Sequence, residues 1–379
     1  MTPKERIKAA MDMKHVDKIP LMCQMSIGHM LVQLDVSPVE FWFDKNVYSD
    51  SLMKLRDIYD FDGILVSLYG HKKNWQEDIS DISIEDENKI VKMNNGDQII
   101  FPLNDLPHYN FSSPRDVKSI DQISLSDLPE YLDYFPVSND LPFFIDPTDK
   151  FGVLENLVSK VGDNYSIHGE ITSPFDYLLD FLGHQNALLS LLDNPQKCKM
   201  ILRHFTDLLV DLSKEMCDTG IDAIKISSPF AGAGFISPDD YREFVLPYEK
   251  MIVQTINSQN VHSYIHTCGS IGDRLELMFD SGTRGIECLD PPPLGNVELE
   301  DAVSRIGNRG FIKGNIDSVH CLLNGDEKEI REDVLNRIKT GSKEPGFILS
   351  TACSIAPNVK KENIQLLRRI VDEWNLKQS

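Results

Sequence analysis

His266 and Cys268 in YIHTCGS, together with Cys353 in LSTACSIAP, offer one imidazole and two thiols. These are donor types that zinc favours. On an extended strand, side chains two positions apart point the same way, so a strand over Val261–His266 that runs on to Cys268 turns both donors to one side. Cys353 lies 85 positions further along and must be delivered by the folded scaffold, unlike the short Cys-x2-4-Cys loop of a structural knuckle. A metal held this way is held by the fold rather than creating it, and its expected role is chemical. The competing reading is a buried core accident, because cysteine is among the most buried residue types. Cys23, Cys198, Cys217, Cys288 and Cys321 show no ligand spacing and read as buried small residues.

The elements that must position these donors alternate. Short apolar runs are each followed by a longer helical pattern, the mark of parallel βα units. Strand cores are expected at Ile19–Cys23, Gly63–Leu68, Tyr165–Glu170, Ala223–Ser227, Val261–His266, Gly285–Leu289, Gly310–Lys313 and Phe347–Ser350. Eight such strands close a (β/α)8 TIM barrel. Ser237-Pro238-Asp239-Asp240 supplies an N-cap, a proline at the first helical position and acidic residues in the first turn before YREFVLPYEKMIVQTI. Asn194-Pro195 opens a second amphipathic helix, and a third is expected near Lys361 to Trp374. The chain, 1–379, therefore reads as a single α/β barrel domain. An Asp-, Asn-, Ser- and Pro-rich insertion at about 75–147 separates its second and third strands, and NNGD within it predicts a β-hairpin. A surface ribbon capping the barrel and a substrate lid are both open for this insertion.

Barrel active sites lie at the C-terminal ends of the strands. His266 ends the expected fifth strand, Cys268 follows it and Cys353 lies just past the eighth, so all three reach the catalytic rim. The fourth metal position falls to water, substrate or Glu170, which ends the third strand and carries an ordinary zinc-binding oxygen. His168, deeper on the same face, reads as a core histidine. Glu287 ends the sixth strand, and Asn315 and Asp317 follow the seventh. Each is placed to bind substrate or orient a ligand, or equally to cap a helix or satisfy loop backbone.

With 41% hydrophobic and 26% charged residues, the composition is that of an ordinary globular protein. A formal charge of -21 argues against a nucleic-acid partner, which is held mainly by Lys and Arg clusters. The charged N-terminus lacks the apolar core of a secretory signal, and no stretch approaches 18 uncharged apolar residues, the length that spans a membrane. Seven irregularly spaced cysteines fit a reducing compartment, so a cytoplasmic location is expected.

HTCGSIGDRLELMFDSGTRGIECLD, RGFIKGNIDSVHCLLNGDEKEIREDV and GFILSTACSIAPNVKKENIQLL resemble the uroporphyrinogen decarboxylase superfamily, as do ISPDDYREFVLPYEKMI and ERIKAAMDMKHVDKIPL. Within it, His-x-Cys…Cys is the signature of the corrinoid-dependent methyltransferases. The resemblance implies zinc on His266, Cys268 and Cys353, and methyl transfer between a small substrate and the cobalt of a cobamide. The decarboxylase branch binds its tetrapyrrole carboxylates with arginines shortly after the first strand. Here CQMSIGHM has none, and after Arg6 the next arginine is Arg56. No Asp-x-His-x-x-Gly stretch is present, so the corrinoid is expected on a separate partner protein. Three functions follow as expectations. The first is methyl transfer from a methoxylated compound (O-demethylase type), the second is methylcobamide:thiol transfer of the coenzyme M type, and the third is a binding protein without catalysis.

Overall fold

The alternating pattern folds as parallel βα units in the computed structural model, which describes residues 1–113, 119–138 and 141–378. Strand β1 is Gly63–Val66. The insertion contributes β2 (Ile79–Glu85), β3 (Asn88–Met93), β4 (Gln98–Phe101), β5 (His108–Asn110), β6 (Tyr134–Ser138) and β7 (Leu141–Phe144). The series resumes with β8 (Ser166–Thr172), β9 (Ala223–Ser227), β10 (His262–Thr267), β11 (Gly285–Cys288), β12 (Phe311–Ile316) and β13 (Phe347–Thr351). Seven of these make one parallel sheet in the order β1-β8-β9-β10-β11-β12-β13. β11, β12 and β13 are buried along their whole length, as expected of parallel strands covered on both faces.

The expected strand Ile19–Cys23 does not form a regular ladder. It makes isolated parallel bridges, Leu21 to Leu349 and Met25 to Ile355, and on its other flank the Leu21 carbonyl accepts from the Asp62 amide, just before β1. The two edges of the sheet therefore meet across this segment and curl it into a barrel. Two features keep the segment irregular. Pro20 has no N–H to give a neighbour, and the Leu21 N–H is taken by the Asp62 carboxylate at 2.7 Å instead of a strand carbonyl.

That carboxylate is the knot of the closure. Asp62 also accepts from Arg6 at 2.5 Å and Arg368 at 2.8 Å, joining the first helix, the closing segment and the last helix in a buried site. Removing one partner of a buried charge network strands the others, at about 3–5 kcal/mol. Asp62→Ala is thus expected to lower the unfolding free energy by that amount, read from the shifted urea midpoint in equilibrium unfolding. A loss below about 1 kcal/mol would show that the closure is held elsewhere. Above the knot, the N-terminal helix Pro3–Met11 plugs the barrel floor, packing Ile7, Ala10 and Met11 with Tyr264, Phe311 and Ile348.

The insertion is richer than one hairpin. β2 to β5 form an antiparallel meander, and β6 and β7 a separate two-stranded ribbon. The NNGD turn joins β3 to β4, with Gly96 at φ +92. A second turn, at Asp86 and Glu87 with φ 47 and 70, escaped the sequence reading because it carries no glycine. The insertion closes on the helix Ile27–Gln33, where a Cβ at Gly28 would collide with the Asn104 carbonyl. The helix expected from Ser237 is broken at Val245 into Pro238–Phe244 and Leu246–Ser258, because Pro247 cannot continue the i→i−4 ladder. Among the described residues no helix is long and apolar enough to cross a membrane.

Candidate metal centre

β10 lies between β9 and β11, and its register sets His266 opposite Ser227 and Glu287. Cys268 follows directly. The chain then turns at Gly269, whose φ of +74 is open to glycine and whose N–H is held at 2.7 Å by Asp290. Cys353 arrives from the opposite side of the closure, two residues past β13. The fold thus brings the three donors together from two loops of the rim. His266 Nε2 lies 3.2 Å from Cys268 Sγ, and the two sulfurs are 3.8 Å apart. All three donor atoms fall within 4.8 Å of one another.

The outer shell of the imidazole is equally specific. Glu287 Oε2 receives His266 Nδ1–H at 3.0 Å, which leaves Nε2 facing the sulfurs. Burial works against charge on His266, yet the neighbouring Cys268 and Cys353 sulfurs outweigh it and hold the imidazole well above its ordinary pKa. The Cys353 thiol is held well below its usual value by hydrogen bonding with Cys268 and Cys288 and by His266. This is the polarity a thiolate donor needs. Glu287 is buried, and burial alone would raise its pKa. Lys313, Lys225 and His266 reverse that and keep it ionised. Lys313 touches Oε1, and Lys225 lies 3.7 Å from Oε2.

Glu170 stands at the same rim but is engaged by others. Lys225 contacts it at 2.9 Å and the Ser67 hydroxyl donates to its second oxygen. It lies outside the three-donor cluster and lines the adjoining cavity. Asn315 and Asp317 are turned into the scaffold. Asn315 donates to the Leu289 carbonyl at 2.9 Å, securing the turn where Cys288 and Leu289 adopt φ of 88 and 56, and accepts from Arg337 at 2.6 Å. Asp317 accepts from the Val319 and His320 amides. Neither lines the cavity. His168 is buried between Ser166 and Tyr264, and burial drives its pKa down to about 3, so it is a neutral core group.

Lys225, Lys313 and Gln24, whose side-chain oxygen accepts from Lys225 at 3.0 Å at the edge of the cavity, were missed by the sequence reading, although a signal exists for the lysines. In AIKIS and FIKGN a lysine interrupts an apolar strand at an inward position, and such a cation must find a buried carboxylate. A second cluster, Cys268 with Cys288 and Asp290, lies beside the first. There the Cys288 thiol donates to Asp290 at 3.2 Å, tying the β11 end to the Gly269 turn.

A cavity of about 240 Å³ opens over the three donors. Its apolar wall comes from the segment after the first bridge (Met25, Ile27, Met30) and from the β6–β7 ribbon (Phe135, Val137, Phe143). The insertion therefore shapes the pocket over the barrel mouth. Among the described residues the lining contains no lysine or arginine.

Comparison with known proteins finds similar sequences and a similar fold. The family description "Uroporphyrinogen decarboxylase (URO-D)" matches residues 146–374, more than half of the chain. The methylcobamide:CoM methyltransferase MtbA of Methanosarcina mazei is 23% identical over 372 residues, spanning 96% of both chains. The methylcobamide:CoM methyltransferase MtaA of Methanosarcina barkeri is 26% identical over 215 residues, 57% of this chain and 60% of that one. A uroporphyrinogen decarboxylase of Ruthia magnifica is 27% identical over 187 residues, 48% and 51% of the two chains. A solved methyltransferase structure from Methanosarcina mazei superposes with a TM-score of 0.71 over 99% of both chains at 18% identity, a likeness of fold.

Proposed function

The chain belongs to the uroporphyrinogen decarboxylase (URO-D) family, and from that premise we propose that it is a zinc-dependent methyltransferase moving a methyl group between a small substrate and the cobalt of a corrinoid protein. The observation that carries the reading is the donor cluster. An imidazole nitrogen and two sulfurs converge within 4.8 Å, with the far side of the imidazole fixed by a carboxylate. That set fits zinc as a catalytic centre with an open position. Bound there, zinc supplies Lewis acidity to the heteroatom that gains or loses the methyl group. The protein's own residues do the rest. Glu287 fixes the imidazole tautomer, Lys313 and Lys225 hold Glu287 charged, and the apolar ribbon aligns the substrate and excludes water. The fourth position would be left to water or the substrate itself, because Lys225 and the Ser67 hydroxyl engage the two oxygens of Glu170.

Decarboxylation of a porphyrinogen is disfavoured, because several carboxylates would enter a cavity whose lining carries Glu170 and, among the described residues, no lysine or arginine to pair with them. The same argument separates two methyl acceptors or donors. Coenzyme M bears a permanent sulfonate, which wants a lysine or arginine, whereas a methoxylated aromatic wants apolar walls. The lining supports the methoxylated substrate, with the corrinoid carried by a partner protein. The thiol reading keeps one support, since relatives similar to this chain are named methylcobamide:CoM methyltransferases.

The test measures zinc by plasma mass spectrometry and follows methyl transfer to free Co(I) cobalamin from a methoxyaromatic panel, and from methylcobalamin to coenzyme M. We expect about one zinc per chain and turnover with a methoxyaromatic. Turnover with coenzyme M alone would replace the substrate assignment, and zinc without turnover in either direction would favour a binding protein. Absence of stoichiometric zinc from chelator-free preparations would remove the mechanism.

A further inference from the structure

A second cavity, of about 350 Å³, lies outside the donor cluster, between the loop after β1 and the insertion. Its walls are aromatic: Trp42, Phe43, Trp75, Tyr109 and Phe144. Phe43 stacks on Trp75 with ring centroids 5.4 Å apart, and the Trp42 indole donates to the Tyr109 hydroxyl at 2.9 Å, so the walls hold one another in place. Among the described residues the rim carries Asp78, Asp97, Asp133 and Asp146 against one lysine, Lys72, which is itself tied to Asp78.

Two buried polar side chains line this cavity with hydrogen-bonding capacity to spare. Among the described residues the Trp75 indole N–H has no partner and His71 has at most the Tyr69 backbone beside one ring nitrogen, leaving the other free, although His71 and Trp75 are only 4% and 8% exposed. Leaving such groups unmade costs about 1–3 kcal/mol each, and native proteins place them where a ligand or water completes them. Burial lowers the His71 pKa to about 4, so the ring is neutral near pH 7 and presents one acceptor and one donor.

The cavity backs onto the one over the metal centre through a shared wall. Ser67 faces the first cavity and Leu68 the second, and Phe143 and Phe144 on β7 divide in the same way. Tyr48 lines the first and His71 the second, their rings 5.8 Å apart.

We propose that this cavity is a second binding site, for a small aromatic organic cation that carries an N–H donor, such as a protonated arylalkylamine. The five rings take the aromatic portion and face its positive charge. The acidic rim draws the cation in, and the unpartnered His71 nitrogen accepts its N–H. The site is distinct from the donor cluster and does not depend on metal.

Phenethylammonium and its neutral counterpart 2-phenylethanol are the probes, titrated calorimetrically and by tryptophan fluorescence, since Trp42 and Trp75 line the site. We expect saturable binding of the ammonium, about tenfold tighter than the alcohol. Asp133→Asn, on the exposed rim, and His71→Phe should each weaken it about fivefold or more, whereas Cys353→Ala should leave it unchanged. Equal binding of the alcohol, no saturable signal, or insensitivity to both Asp133→Asn and His71→Phe would overturn the proposal. Loss of binding in Cys353→Ala would also overturn it, by placing the probe at the metal centre.

Discussion

Cys353→Ala is expected to purify without stoichiometric zinc and to lose methyl transfer while the barrel remains folded. The residue sits on a rim loop past β13, partly exposed, and its sulfur faces the other two donors rather than the core. Deleting it removes one of three protein donors. The fall in zinc affinity should therefore exceed the about 10–100-fold that follows loss of a group merely hydrogen-bonded to a ligand. A truncated loop side chain away from the core changes stability by about 1 kcal/mol or less, so circular dichroism and the urea midpoint should hold. The measurement is zinc content beside turnover on the same preparation. A fully active variant with one zinc per chain would show that Cys353 is no ligand. Cys268→Ala should behave alike, because the same cluster loses its other sulfur.

Much of this site is legible in the sequence because it depends on strand ends. The inward positions of β10 are fixed by a period of two, so His266 and Cys268 fall on one side once the strand is located, and an eight-unit alternation carries Cys353 to the same rim. Seven of the eight expected strands form within three residues of their expected bounds. What was illegible depends on contacts between distant segments. The closing segment fails as a ladder because Asp62, some forty residues away, competes for the Leu21 N–H at 2.7 Å, and nothing local to Ile19–Cys23 announces that. Glu170 reads as a candidate ligand from position alone, yet Lys225 and Ser67 occupy its oxygens. Asp317 follows β12 as expected, whereas Asn315 lies inside it because the strand runs on to Ile316, and the tight turn at Leu289 and the Val319 and His320 amides draw their side chains away from the mouth. The insertion was legible in extent and in one hairpin. Its role as the wall of two cavities required knowing which face of each strand meets the barrel.

Glu287→Ala is expected to be the most disruptive single change at the centre. Its carboxylate is 0% exposed and answers two lysines, Lys313 and Lys225, that are equally buried. Removing it leaves Lys225 with Glu170 but strips Lys313 of the carboxylate it touches, a loss of about 3–5 kcal/mol for a broken buried pair. It also frees the His266 ring to rotate, so zinc affinity should fall about 10–100-fold beyond any loss from unfolding. Glu287→Gln separates the two effects, since its amide oxygen can still accept from Nδ1 while the charge is gone. This variant should keep more zinc than Glu287→Ala and lose nearly as much stability. Because the folded-state pKa of Glu287 is depressed, its stabilisation is fully present above the unfolded carboxylate value of about 4.3 and is lost as pH falls toward the folded value. The gap between wild type and Glu287→Gln in urea unfolding should accordingly be constant from about pH 6 to 7 and narrow below about pH 4. A gap that is absent at pH 7, or that widens on acidification, would mean that Glu287 does not carry the charge on which His266 and the two lysines depend.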